Sequence, residues 1–553
     1  MNNLLNRAFY PVLAFLFLFF AFLLFKNLGH YPFWDDEANT AIFARNLLST
    51  GELTAFDGRN LAAYSNGTEL NTSLQNTLIP PLQYYFTAIS FKLFGEGNFA
   101  ARFPFALLGL LSFIIFFLIN KELSDKKMLI LFNMVIFATN VAFILFLRQC
   151  RYFASTTFFF LLCVHLLVRF YKKQKNGFLI GYLLSAIMLF LSQYNAAISI
   201  MAVFLVSFAI LKRWNIRDRE LQRLFLAHLP LGLFIIGYFY FRNPFDTIAS
   251  YPGNLSNIGF KFYVFYRTLL TFDAQTFLSF LLLFLYIIIH RKTKGELSSE
   301  LKQLFYFLLI SIAGFSLLAM KFAIRYVIYL APVAFAIEGN IIYQISQWPI
   351  KYAKFLSATM MILLVFTSSL FVSSEREGRI EHSNIPVNFH FFKYIDEISS
   401  ENPTTYSELI DYFESKKDTN KTLLFYPRFM TFPLMYYLGD QYLFSNLIDH
   451  QSKINKALPS YLYNAYRSPD YIVICGPDAA SKEEILKSQP GSYGYVQDTT
   501  LNFYYRDMTR PEYHWRSFDV VTDFDRENES IFIYRRYKTD TITSKDKREL
   551  MRL

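Results

Sequence analysis

The sequence predicts a polytopic α-helical membrane protein of about eleven spans, followed by a soluble α/β domain. Three observations lead there. Hydrophobic residues make up 54% of the 553 residues and charged residues 18%, with 64 Phe and a mean hydropathy of +0.25. A water-soluble chain has no core large enough to hide that much apolar side chain. The apolar residues also gather into runs of bilayer length. Finally, charge divides at Ser374: residues 1–374 carry 31 Lys and Arg against 16 Asp and Glu, and residues 375–553 carry 23 against 27. The net +11 therefore belongs to the apolar part and gives no support to a nucleic-acid partner.

Arg7 and the run Ala8–Phe25 open the chain. The run is long for a signal-peptide core and no small-residue cleavage site follows, so it reads as an uncleaved first helix. Further spans are expected near residues 103–119, 128–147, 153–170, 177–193, 196–211, 224–241, 270–290, 303–320, 327–346 and 353–373. With a cytoplasmic N-terminus, 19 basic residues fall in cytoplasmic loops and 12 on the other face. The alternation holds at every crossing, as the positive-inside rule requires. Eleven spans then put the tail after Ser374 outside. A transmembrane catalytic domain over 1–374, with an outer loop one at 27–101, and an outer α/β domain over 375–553 are the expected units.

The tail alternates short apolar strands with helical stretches: Thr422–Tyr426, Tyr471–Cys475, Phe503–Tyr505 and Ile531–Tyr534 against Lys482–Lys487. Cys150, Cys163 and Cys475 share no metal-ligand spacing, so neither a disulfide framework nor a zinc site is indicated.

Chemistry concentrates in loop one. Tyr31-Pro-Phe-Trp-Asp-Asp-Glu37 places three consecutive carboxylates just past the first span. An amphipathic helix follows through Ala38, Ile42, Phe43 and Leu47, with Gly51 as its stop. On one reading Asp35 or Asp36 is an N-cap and Glu37 answers the helix dipole. On the other, a carboxylate at the membrane surface is a general base toward a lipid-borne substrate. The two are compatible. Later, Pro80-Pro81 opens an apolar run to Gly95 that is too short to span, so a helix lying in the interface is expected.

The residues of this loop arrive in a familiar order: Asp36-Glu37-Ala, Ala44-Arg45-Asn-Leu-Leu-Ser-Thr-Gly51, Pro80-Pro81-Leu-Gln-Tyr-Tyr, Phe91-Lys-Leu-Phe-Gly95 and Ala101-Arg102-Phe-Pro104. With Arg148-Gln-Cys-Arg151-Tyr152, Gln193-Tyr194, Arg325-Tyr326 and Pro332, they resemble the GT-C glycosyltransferases related to protein O-mannosyltransferases and lipid A aminoarabinose transferases. The resemblance covers about residues 1–335. It implies a GT-C fold and a sugar donor carried on a polyprenyl phosphate, in a bacterial cytoplasmic membrane. Asp36 then matches the family's loop-one catalytic aspartate, with Asp35 and Glu37 as neighbours sharing the catalytic assignment. Ile79 stands where the aminoarabinose branch has a lysine, and Gln193 where a histidine is common. The first argues against aminoarabinose modification of lipid A, and both leave the donor open; the acceptor is not legible in the sequence either.

Such a transfer needs a carboxylate to activate the acceptor hydroxyl and fixed cations at the leaving phosphate. Arg151 and Arg325 are the candidate cations. Tyr326, Arg148, Tyr152 and Tyr84 join them as substrate-binding candidates. Each arginine, with Lys321, has an alternative as a snorkelling lipid contact, and Tyr152 and Tyr326 as belt aromatics. Glu338 and His165, within spans, stay unassigned. The loop carboxylates would suit a hard divalent cation, but the resemblance calls for none, and neither metal nor other cofactor is expected. Membrane lipids and an acceptor lipid, glycan or protein are the expected partners. The competing readings are a lipid-linked glycan carrier, which would place charged or broken-helix sites at mid-membrane, and a non-catalytic assembly protein on the same scaffold.

Overall fold

A computed structural model describes residues 2–63, 67, 69–213, 215, 217–242, 257–276, 281, 285, 299–319, 324–349, 351–367, 373–376, 379–382, 390–401, 404–416, 418–445, 469–489, 493–502 and 530–538. The first apolar run forms α1 (Asn2–Phe25). Loop one contributes α2 (Asp35–Thr50) and α3 (Leu82–Phe94). The bundle continues with α4 (Asn98–Leu123), α5 (Lys127–Thr139), α6 (Val141–Leu147), α7 (Phe153–Lys173), α8 (Asn176–Ser192), α9 (Tyr194–Leu211) and α10 (Arg219–Arg242). It closes with α11 (Ile258–Thr276), α12 (Ser299–Leu318), α13 (Ala331–Ser346) and α14 (Ala353–Thr367).

Seven of the described helices are long and apolar enough to cross a membrane, and α8 and α14 are shorter apolar helices. The expected third span is not one rod. It bends by 63° between α5 and α6, where Asn140 leaves the helix and its Oδ1 accepts the Phe143 N–H at 3.0 Å, capping α6. In the sequence the break is marked only by the pair Thr139-Asn140 between two apolar runs. The expected span at 270–290 lies largely outside the described residues. The helix reaching its start, α11, begins at Ile258, well before the expected run. Lys321 and Phe503–Tyr505 also lie outside the described residues.

Close packing shows at single glycines. Gly339 of α13 lies against Asn133 of α5, where an added Cβ would overlap the side-chain oxygen and come within 3.0 Å of Cγ. Asn133 in turn donates to Asn120 Oδ1 of α4 at 2.5 Å. These polar contacts hold three helices together where lipid supplies no hydrophobic drive.

After α14 come the antiparallel pair β1 (Ser373–Arg376) and β2 (Arg379–His382), then α15 (His390–Ser399) and α16 (Thr405–Lys416). A five-stranded sheet follows, in the order β4-β3-β5-β7-β6. Its strands are β3 (Thr422–Tyr426), β4 (Leu443–Phe444), β5 (Tyr471–Ile474), β6 (Tyr493–Asn502) and β7 (Ser530–Lys538). β3 runs parallel to β4 and β5, with Leu423 opposite Tyr471, whereas β7 is antiparallel to both β5 and β6. The helices α17 (Thr431–Leu438) and α18 (Lys482–Lys487) complete the tail. The expected α/β character is present. A boundary at 374/375 falls inside β1, however, and the tail does not stand apart from loop one. Buried residues of α1, α2, the bundle and the tail, Leu423 and Phe444 among them, form one continuous apolar core.

Candidate active site

The first turn of α2 carries Asp35, Asp36 and Glu37. The positive end of the helix dipole favours three carboxylates there. None of them is the N-cap, contrary to the capping expectation: Trp34 holds that position in an extended conformation and makes no side-chain cap bond. The far end of α2 stops as expected, with Gly51 at φ 78° and its N–H on Leu47 O.

The three carboxylates go to different partners. Glu37 is wholly buried and meets Arg102, with Arg102 Nε on Oε1 at 2.8 Å and Nη2 on Oε2 at 2.7 Å. Glu37 Oε1 also accepts the Cys150 N–H at 2.8 Å. Arg102 reaches further, donating to the carbonyls of Leu28, Tyr31 and Pro32. This buried bidentate pair ties loop one to α4 and to the α6–α7 turn. Both Glu37 oxygens are engaged and the side chain is fully buried. Arg102 stood in a recognised motif without a role; a long cation directly before Phe-Pro in an apolar helix was the available signal.

Asp36 lies between two arginines. Its Oδ2 is 3.3 Å from Arg151 Nη2 and 3.0 Å from Arg325 Nη1. The Arg151 side chain is 6% exposed and that of Arg325 is 26% exposed, so Arg325 is the more open of the two. Arg151 also reaches the Asp36 carbonyl and Thr40 Oγ1, each at 3.4 Å. The two cations come from distant elements: Arg151 from the turn before α7, Arg325 from the 3-10 turn Ile324–Tyr326 that leads toward α13. Gln193 donates to Tyr326 O at 3.0 Å and holds that turn. The departure from histidine at this position thus supplies an amide donor. Asp35 sits about 100° round the helix from Asp36, so the three carboxylates do not converge as a metal-ligand set.

Aromatic rings line the same place. Arg151 stacks over Tyr152 and Arg325 over Tyr326. Tyr152 donates its N–H to Gln83 Oε1 at 3.2 Å. Burial, with Tyr326 close by, raises the Tyr152 pKa well above the ordinary tyrosine value, so the hydroxyl stays protonated. Tyr84 is stacked on Phe43 at 4.9 Å, and burial likewise raises its pKa, against the pull of Arg151. The structure therefore brings together Asp36, Arg151, Arg325, Tyr152, Tyr326 and Tyr84.

It does not bring Arg148. That guanidinium donates to Leu23 O at 2.9 Å, Lys26 O at 2.7 Å and Tyr394 Oη at 2.7 Å. These bonds close the end of α1 against α15. A cation the sequence did not single out is Arg242, at the end of α10. It donates to Asn76 O at 2.6 Å, beside the Ile79-Pro80-Pro81 turn, where Asn76 Oδ1 accepts the Ile79 N–H.

Residues 79–236 match the sequence model of the dolichyl-phosphate-mannose-protein mannosyltransferases. The chain is similar in fold to ArnT from Cupriavidus metallidurans bound to undecaprenyl phosphate, with a TM-score of 0.57 at 14% identity, covering 95% of this chain and 97% of that one. The chain has the GT-C fold. The apo form of the same ArnT matches with a TM-score of 0.54 at 12% identity, covering 87% and 95% of the two chains. An uncharacterized protein of Aquifex aeolicus (strain VF5) is 26% identical over 155 residues, a stretch that is 28% of each chain.

Proposed function

We propose that this protein is a membrane glycosyltransferase that moves a sugar from a polyprenyl-phosphate donor to an acceptor hydroxyl, with Asp36 as general base. The observation that supports this reading is the placement of Asp36 between Arg151 and Arg325 at one end of the bundle. The GT-C fold and the binding of undecaprenyl phosphate by ArnT of C. metallidurans favour a lipid-phosphate donor.

The chemistry balances with these groups alone. Asp36 takes the acceptor hydroxyl proton as the oxygen attacks C1 of the sugar. The C1–O bond to phosphate breaks, and the polyprenyl phosphate leaves with the electron pair. Attack in line with the leaving group inverts the anomeric centre. Without donor, both guanidinium groups engage the Asp36 carboxylate. A donor phosphate competes for those cations, so substrate binding frees the base as it neutralises the leaving group. Arg325, the more exposed of the pair, is the cation positioned to exchange.

On the charge pattern of the loops, the N-terminus is cytoplasmic and the site and tail face outward. Access to a tag at residue 553 from the cytoplasm would sink that orientation. The reaction is tested with purified protein, polyprenyl-phosphate sugars and a panel of hydroxyl acceptors. Asp36→Asn is expected to lower the rate by about 10²–10⁴-fold, with Asp35→Asn close to wild type. Full rate in Asp36→Asn with loss in Asp35→Asn overturns the base assignment. If the wild type consumes no donor with any acceptor, the transferase reading falls to the carrier or assembly alternatives.

A further inference from the structure

We infer that Tyr437 is a positioning residue for Asp36, and that the C-terminal domain helps complete the active site through it. The inference rests on the transferase reading above and gives the tail a task within it. It begins from the start of α2. Trp34 makes no side-chain cap bond there, and the Asp36 and Glu37 carboxylates are turned to arginines. The orphan groups of a helix start are met by contacts from neighbouring elements where the N-cap side chain does not meet them.

Two grips hold it. From the membrane domain, Arg102 binds Glu37 and the carbonyls of Tyr31 and Pro32. From the tail, Tyr437 of α17 accepts the Phe33 N–H at 2.9 Å and donates to Asn98 Oδ1 at 2.6 Å. One hydroxyl thus joins the segment entering α2 to the first residue of α4. The Phe33 ring is fully buried against Tyr436 at 4.9 Å and Tyr437 at 6.0 Å, with Arg102 over it at 5.2 Å. Further along α2, Arg45 donates to Tyr436 O at 3.0 Å and lies over its ring. The tail helix α17 therefore grips α2 before its first turn and again three turns on. Burial raises the Tyr437 pKa, which keeps the hydroxyl able to accept and donate at once.

Phe33 is three residues from Asp36, so movement at Phe33 is carried into the carboxylate. A displacement of about 1 Å at a reacting group costs on the order of 10²-fold in rate. A tail that only stabilised the fold would act differently: weakening it would lower the folded fraction and leave turnover of folded protein intact.

The test uses the full chain in detergent or nanodiscs, comparing Tyr437→Phe with Tyr442→Phe. The control is also a buried tail tyrosine, but its hydroxyl bonds within the tail, to Phe413 O at 2.8 Å. Hydrogen exchange over residues 31–38, thermal midpoint, kcat and donor KM are read on each. Tyr437→Phe is expected to exchange faster over 33–38 and to lose about 10–100-fold in kcat, with donor KM changed by less than about twofold. Tyr442→Phe is expected to lower the midpoint while keeping kcat and the exchange of 33–38. Wild-type kcat in Tyr437→Phe, unaltered exchange there, or equal loss of kcat in Tyr442→Phe each overturn the inference. Should Tyr437→Phe fail to fold, Asn98→Ala removes the second hydrogen bond alone, and the same readouts decide. If wild type transfers no sugar, exchange over 33–38 still decides the positioning: faster exchange in Tyr437→Phe sustains it, and unchanged exchange overturns it.

Discussion

At the scale of residues, Arg148 and Arg151 share one short motif and have opposite fates. Arg148 closes the end of α1 by hydrogen bonds to two carbonyls and a tyrosine hydroxyl, whereas Arg151 faces Asp36. The proposed mechanism therefore separates them. Arg325→Gln and Arg151→Gln are expected to lower transfer by about 10²-fold, the usual cost of losing one group that stabilises developing charge. Arg148→Gln is expected to lower the thermal midpoint while folded protein keeps its turnover. Equal kcat losses at Arg148 and Arg325 would show that helix closure, not charge at the phosphate, governs the rate. The motif told us that these arginines belong together in sequence. Which of them meets the carboxylate depends on a turn after α6 that no periodicity announces.

At the scale of elements, the membrane helices are specified by small polar and glycine contacts as much as by apolar length. Gly339 is the sharpest case, because an added Cβ runs into Asn133. In an isolated helix Gly→Ala is stabilising by about 1 kcal/mol. Against the α5 contact, Gly339→Ala is expected to destabilise by about 1–3 kcal/mol, read as a lower thermal midpoint in detergent. A higher midpoint would mean that α5 and α13 are not packed this way. The sequence was legible for most of these elements, including the Gly51 stop, the helix after Pro81 and the strand Thr422–Tyr426. It failed at Asn140, where one polar pair between two apolar runs became a helix break and the cap of α6. It also passed over α17, whose eight residues carry too little pattern to be distinguished from a loop.

At the scale of the whole molecule, loop one and the tail fold as partners. Asn60 is the joint between them. Its amide donates to Gly439 O at 3.0 Å and Tyr442 O at 3.1 Å, and its carbonyl accepts the Phe444 N–H at 2.8 Å. Arg59 adds bonds to Asn420 Oδ1 and Gln441 O. Asn60 is 1% exposed, so Asn60→Ala leaves buried backbone groups unpaired, at about 1–3 kcal/mol for each. The expected outcome is faster proteolytic release of the tail and a lower midpoint. An unchanged cleavage rate would show that the joint lies elsewhere.

The sequence alone determined the membrane class, the position of the acidic turn and the α/β character of the tail. Each of these is written in composition or in patterns a few residues long, which act through local geometry and burial. The tertiary structure alone decided which cations face Asp36, that Glu37 is locked by Arg102, and that the tail grips loop one. Those contacts join residues 289 positions apart, as for Asp36 with Arg325, and 404 apart, as for Phe33 with Tyr437. Contacts so distant along the chain follow from packing the whole chain at once, and no local pattern encodes them.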